Sequence, residues 1–206
     1  MIAAIKHLQS KDKKLGKIIS KVGACQLARR EEKSNRPKTP FLSLAKSICY
    51  QQLHGKAAAT IWGRLVKLPG AKSGFTPAWV EKTSVAVLCS AGLSNSKAIA
   101  IKDLSEKTKS KIVPSWAVLE KLTDDEIVKR LTQVRGIGPW TVEMLLIFSM
   151  GRPDVLPLND YGIKNGFSKV YKKGEFPTSK ELAEYGKRWS PYRSYASWYL
   201  WRATEL

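Results

Sequence analysis

Two apolar-periodic segments meet at a glycine turn in TDDEIVKRLTQVRGIGPWTVEMLLIF, residues 123–148, and this turn constrains the chain more than any other feature. Thr123 and Glu126 fit a Thr-x-x-Glu capping box, in which hydroxyl and carboxylate satisfy amides that a helix start leaves without partners. Leu131 to Arg135 closes that first helix. Gly136 and Gly138 supply backbone conformations denied to other residues, and Pro139 restarts a helix where its missing amide costs nothing. Amides exposed in such a hairpin can hold a phosphate whatever the base sequence. Taken alone, Gly-Ile-Gly-Pro is equally compatible with a plain structural turn. Twenty-two residues after Gly138 stands Asp160, a carboxylate able to act on what the phosphate holds.

The rest of the chain reads as helix. In FLSLAKSICYQQLHGKAAATIWGRLVKL, the apolar residues Phe41, Leu44, Ala45, Ile48 and Cys49 recur at helical spacing, and the pattern resumes through Ala57, Ala58, Ile61 and Leu65. This predicts two helices with a break near residues 53–55. Thr76-Pro77 reads as a cap followed by proline at the first helical position, Ser94 to Lys109 as a further helix, and Thr178 with Glu181 as a second capping box. Ser190-Pro191 is expected to start the last helix. VAVLC, residues 85–89, is the best candidate strand, but its surroundings suit a buried helix better. Residues 29–40, charged and carrying Pro37 and Pro40, are expected to link an amino-terminal segment to the first core helices.

Charge narrows the partners. The 206 residues hold 36 Lys and Arg against 17 Asp and Glu, a formal net charge of +19. Such a chain is drawn to polyanions, nucleic acid or an anionic membrane surface. The excess is uneven, with 11 basic and 3 acidic residues in positions 1–40, 10 and 3 in 41–110, and 15 and 11 in 111–206. No apolar run is long enough to span a bilayer and the amino terminus lacks a signal-peptide pattern, so a soluble intracellular protein is expected. Cys25, Cys49 and Cys89 are far apart and without His at ligand spacing, which argues against both a disulfide framework and zinc.

The motifs then resemble a family. LTQVRGIGPWTVEMLLIF followed by DVLPLNDYGI resembles the helix–hairpin–helix plus Gly/Pro/Asp signature of the HhH-GPD DNA glycosylases, and within them the DNA-3-methyladenine glycosylase II branch. The YQQLHGKAAATIWGRL run, GLSNSKAIAIKDLS and RWSPYRSYASWYLW resemble three further elements of that branch, in the family's order, from about residue 41 to the end. The resemblance implies an all-α, two-lobed fold with an active-site cleft between lobes. The core would span 41–206, its helix–hairpin–helix about 123–149, and residues 1–40 would be a basic segment of the helical body.

The resemblance also implies a chemistry. Breaking an N-glycosidic bond develops positive charge on the deoxyribose, and a carboxylate beside C1′ stabilises that charge and orients a water. Asp160 rather than Asp154 matches the catalytic position, although an aspartate preceding an apolar helical pattern also suits an N-cap. Relatives that nick DNA carry a lysine nineteen residues before the aspartate. Here that position is Thr141, which cannot form a Schiff base, so a monofunctional enzyme without lyase activity is expected. The carboxy terminus lacks the four cysteines that hold an iron–sulfur cluster in other relatives, so no cluster and no required cofactor is expected.

Further roles are carried over residue by residue. Trp140 and Trp201 match pocket aromatics suited to a flipped, cationic base, with Tyr161 a lesser candidate and Met144 standing where some relatives have an aromatic. The other five tryptophans are expected to pack. Gly136, Gly138 and Thr141 would meet the DNA backbone, and Gln52, Leu53 and His54 would supply the wedge and minor-groove contacts. Carbonyls of Thr132, Val134 and Ile137 are candidates for a structural Na+ or K+. The expected partner is double-stranded DNA bearing alkylated purines such as 3-methyladenine and 7-methylguanine, with no membrane and the chain a monomer. The expected compartment is the nucleoid-associated cytoplasm of a bacterium or the nucleus of a eukaryote. Two other readings stay open, a glycosylase for oxidised, deaminated or mismatched bases and a non-catalytic module that binds damaged DNA.

Overall fold

A computed structural model describes residues 1–27, 36–68, 70, 74–172 and 174–206. Among the described residues there is no strand. In chain order the α-helices are α1 Ile2–Lys11, α2 Lys13–Val22, α3 Pro40–Tyr50, α4 Gly55–Leu65, α5 Pro77–Lys82, α6 Val85–Ser90, α7 Asn95–Lys109, α8 Trp116–Leu119, α9 Asp124–Leu131, α10 Pro139–Phe148, α11 Tyr161–Phe167, α12 Ser179–Gly186 and α13 Arg193–Ala203. Of residues 29–40, expected to link an amino-terminal segment to the core, residues 29–35 lie outside the described residues. The chain forms two compact units, Pro37–Leu145 and Met1–Arg36 with Leu146–Leu206, so the boundary falls inside α10.

In the unit Pro37–Leu145, helix starts follow local side-chain chemistry. Thr39, Thr76, Ser84, Ser94 and Thr123 each accept an amide of the helix they precede, and α3 and α5 have proline in the first turn. Each such cap contributes about 1 kcal/mol. Residues 85–89 are helical, as their surroundings suggest. The central helix is α7, which packs against α3, α5 and α6. It also closes two of their carboxyl ends. Lys97 Nζ donates to the carbonyls of Cys49 and Gln51 at 2.9 and 2.6 Å, and Lys102 Nζ donates to those of Val80, Glu81 and Thr83 at 3.0, 2.6 and 2.8 Å. Cations are favoured there because carbonyls without helical partners carry the negative end of the helix dipole.

The second unit joins both ends of the chain. α1 and α2 turn about Asp12, whose Oδ1 accepts the Lys14 and Leu15 amides while Oδ2 accepts Tyr171 Oη at 2.8 Å and Trp189 Nε1 at 2.9 Å. A carboxylate only 4 % exposed is tolerable because each oxygen is satisfied. Burial, with the Asp12 charge beside it, pushes the Tyr171 phenol far above its ordinary range. Leu8 and Leu15 are fully buried, each contributing about 1.5–3 kcal/mol, and α2 and α11 pack on α13.

Two local expectations need correction. α13 starts at Arg193 rather than at Ser190-Pro191, which are joined by a cis peptide bond. What fixes the start is Asp154, 39 residues back. Its Oδ1 accepts the Arg193 amide at 3.0 Å and its carboxylate takes both Nε and Nη2 of the same side chain, at 2.8 and 2.9 Å, and the Ser190 hydroxyl at 2.8 Å. The second correction concerns the hairpin. Gly136 has φ +75°, as a glycine turn requires, whereas Gly138 is not among the positive-φ residues.

Candidate functional site

Asp160 ends the loop before α11 and caps that helix, its Oδ1 accepting the Ile163 amide at 2.7 Å. The same oxygen accepts the indole N–H of Trp201 at 2.8 Å. One oxygen of a side chain only 8 % exposed thus makes both the N-cap bond and a bond to an indole. Trp201 lies in the last turns of α13, and its ring stacks on Phe148 with centroids 5.6 Å apart and planes 25° from parallel. The result is an indole whose edge holds the carboxylate and whose face lies against a second ring.

Phe148 was not singled out from the sequence. It ends α10 inside an apolar run, LLIF, and nothing local distinguishes a ring that meets α13 from one that fills a core. Tyr161, adjacent to Asp160, belongs to a different cluster, being 72 % exposed and set against Phe176, 47 % exposed, with centroids 5.5 Å apart. Asp154 differs from Asp160 in its partners. Partial burial opposes its charge, but the bonds from Arg193 and Ser190 outweigh that and hold the carboxyl below its usual range.

The unit Pro37–Leu145 holds the hairpin and the expected wedge. The hairpin is tied down from two directions. Asp103 on α7 accepts the Arg135 amide at 2.8 Å, and Gln51 Nε2 donates to the Gly136 carbonyl at 2.9 Å with a longer 3.5 Å contact to Thr141 Oγ1. Gln51 is in turn fixed through its own carbonyl by Lys97. A Cβ on Gly136 would sit 3.4 Å from the Ala100 methyl, whereas one on Gly138 would meet nothing within 4 Å, leaving open space at the amide end of α10. Thr141 is 5 % exposed, and its amide donates to the Gly138 carbonyl at 3.0 Å. Trp140, in the first turn of α10, is 47 % exposed, and Met144 is half-buried.

Between α3 and α4 the loop Gln51 to His54 projects exposed residues. Gln52 has φ +54°, an uncommon conformation for a residue with a side chain, and Leu53 is 38 % exposed. His54 is exposed and precedes α4 without a side-chain cap. Of the five tryptophans expected to pack, Trp116, Trp189 and Trp198 are buried, while Trp62 and Trp79 flank Phe75. The Val134 carbonyl accepts the Ile137 amide at 3.0 Å, and the Thr132 hydroxyl donates to Val128. Among the described residues no three His, Cys, Asp or Glu cluster as a metal site, and no helix is long and apolar enough to cross a membrane.

An all-helical fold with a tethered glycine hairpin in one unit and a buried N-cap carboxylate in the other defines a helix–hairpin–helix protein. Residues 45–191 match the family described as the HhH-GPD superfamily base excision DNA repair protein, and the chain belongs to that family. DNA-3-methyladenine glycosylase 1 of Schizosaccharomyces pombe is 34 % identical over 200 residues, spanning 97 % of this chain and 86 % of that protein. The structure of Schizosaccharomyces pombe 3-methyladenine DNA glycosylase (Mag1) in complex with abasic DNA superposes with a TM-score of 0.86 at 33 % identity. That match covers 99 % of this chain and 97 % of that one. A DNA-3-methyladenine glycosidase from Bacillus halodurans gives 0.83 at 35 % identity, covering 97 % and 88 %.

Proposed function

We propose that this chain is a monofunctional DNA glycosylase that removes alkylated purines, 3-methyladenine and 7-methylguanine among them, from double-stranded DNA. The observation that carries the reading is Asp160, a nearly buried carboxylate with one oxygen fixed by two N–H donors beside an aromatic stack. Relatives bearing the 3-methyladenine glycosylase name along nearly the whole chain support the substrate class.

The chemistry is a hydrolysis. The bond between C1′ and the base nitrogen breaks, its electron pair leaving with a base that alkylation has made cationic, so the leaving group departs neutral. Positive charge grows on the deoxyribose and the Asp160 carboxylate stabilises it. Water adds to C1′ and loses a proton, yielding a free base and an abasic sugar in an unbroken strand. Thr141 stands where a lysine would attack the sugar, and a hydroxyl cannot form the imine that precedes strand cleavage. The stacked rings of Trp201 and Phe148 offer an aromatic surface for a base outside the stack.

Grip and flipping fall to the other unit. The hairpin amides near Gly136 and Gly138 would hold a phosphate, and Leu53 or Gln52 would fill the gap left by the flipped nucleotide while His54 meets the minor groove. Carbonyl oxygens of Thr132, Val134 and Ile137 would hold a monovalent cation, which would add positive charge at the hairpin. The Val134 oxygen keeps a second lone pair beyond the one given to Ile137, so these donors suit a hard ion.

The test is to incubate the protein with methylated duplex DNA, identify released bases by chromatography and probe the strand with and without alkali. Release of methylated purines with alkali-dependent breaks is expected. Breaks without alkali, or a protein–DNA adduct trapped by borohydride, would contradict the monofunctional assignment. Release of oxidised but not methylated bases would overturn the substrate class.

A further inference from the structure

Trp201 can reach Asp160 only because residue 162 has no side chain. A Cβ built on Gly162 would lie 2.8 Å from Trp201 Cδ1, 3.1 Å from its Nε1 and 3.2 Å from Asp160 Oδ1. The first distance is shorter than real contacts allow, and the obstructing atom belongs to a rigid indole already stacked on Phe148. Gly162 has no positive φ, so the backbone does not require glycine here. The requirement is space, and that space is filled by the edge of the indole that donates the hydrogen bond.

One turn on, Gly166 faces the main chain of α13. A Cβ there would fall 2.0 Å from the Leu200 carbonyl oxygen, which sets how closely the two helices approach. The glycines at 162 and 166 thus do separate jobs. Gly166 brings the α13 backbone against α11, and Gly162 leaves room for the next residue of α13, Trp201, to turn its N–H onto the carboxylate.

We infer that Gly162 and Trp201 are positioning residues for Asp160: the glycine admits the indole, and the indole N–H, with the Ile163 amide, fixes which carboxylate oxygen is engaged and how the other is presented. Trp201 then has a role apart from stacking on a base, one that a phenylalanine ring cannot fill. A carboxylate rotated out of place by about 1 Å loses on the order of 100-fold in rate even when the protein is intact.

The inference rests on reading Asp160 as the reacting carboxylate, and the experiment separates the two. Gly162→Ala, Trp201→Phe and the double variant are compared in single-turnover base release from methylated DNA, in affinity for abasic duplex, and in the 1H–15N spectrum of the tryptophan indoles. Trp201→Phe assigns the resonance. In Gly162→Ala that resonance is expected to move toward the position of an indole without a partner, and the rate to fall by about 10- to 100-fold. Abasic-DNA affinity should change by less than about 3-fold, and the double variant should be no slower than Trp201→Phe, because the same bond is lost once. An unmoved resonance in Gly162→Ala, or losses that multiply in the double variant, would overturn the inference. If the wild-type protein releases no alkylated base, the functional reading fails while the indole spectrum, which needs no substrate, still decides the positioning. Should Gly162→Ala fold poorly, Asp160→Ala, which removes the acceptor, is read instead, and an unchanged Trp201 resonance there contradicts the hydrogen bond.

Discussion

At the scale of residues, two aspartates six positions apart are put to different uses by their partners. Asp154 holds Arg193 through paired hydrogen bonds and anchors the start of α13. Asp154→Ala is expected to destabilise the protein by about 1.5–3 kcal/mol, the range for hydrogen bonds to a charged group, measured by urea denaturation, while leaving the Trp201 to Asp160 bond in place. Its carboxyl titrates below the usual range, so its contribution is complete above about pH 4 and fades as pH falls through the lowered value. Asp154→Asn should therefore flatten the acid side of a stability profile. The sequence separated the two aspartates only through a family resemblance. Nothing local in Pro153-Asp154-Val155 announces an arginine 39 residues away.

At the scale of elements, whatever depends on neighbours three or four residues apart was legible. Both capping boxes form, with Glu126 and Glu181 reaching back to Thr123 and Thr178. Lys172 first, then the amide and hydroxyl of Thr178, hold the Glu181 carboxyl down to about 2. Stability from this box is thus present above about pH 4.3, the ordinary glutamate value, and is lost as pH drops toward 2. Glu181→Gln should show less loss of melting temperature between pH 5 and pH 2 than wild type, and an equal loss would contradict the assignment. Distant contacts were not legible. The start of α13, the π-helical turn Ser168–Lys172 that follows α11, and the Lys97 and Gln51 tethers of the hairpin all depend on partners or packing that periodicity does not encode. Gln51→Ala should weaken binding to abasic DNA by releasing the Gly136 carbonyl, by about 0.5–1.5 kcal/mol, the net worth of one hydrogen bond, as measured by fluorescence anisotropy.

At the scale of the whole molecule, composition indicated a polyanion partner but not how the chain is divided. One unit is built from both ends, Met1–Arg36 with Leu146–Leu206, because the apolar faces of α1 and α2 complete those of the carboxy-terminal helices. A net charge of +19 predicts binding that weakens steeply with salt, each neutralised phosphate adding about 0.9 to the slope of log affinity against log salt. Affinity for undamaged duplex measured between 50 and 200 mM salt should fall along such a line, and a flat response would exclude a phosphate-dominated interface. The division of labour we propose gives the chemistry to Asp160 and the hold on DNA to other residues. Its most direct test is single-turnover release of 3-methyladenine by wild type and Asp160→Asn, with abasic-DNA affinity measured on the same samples. A loss of at least about 100-fold in rate with affinity held within about 3-fold is predicted, whereas release by Asp160→Asn at the wild-type rate would contradict the account.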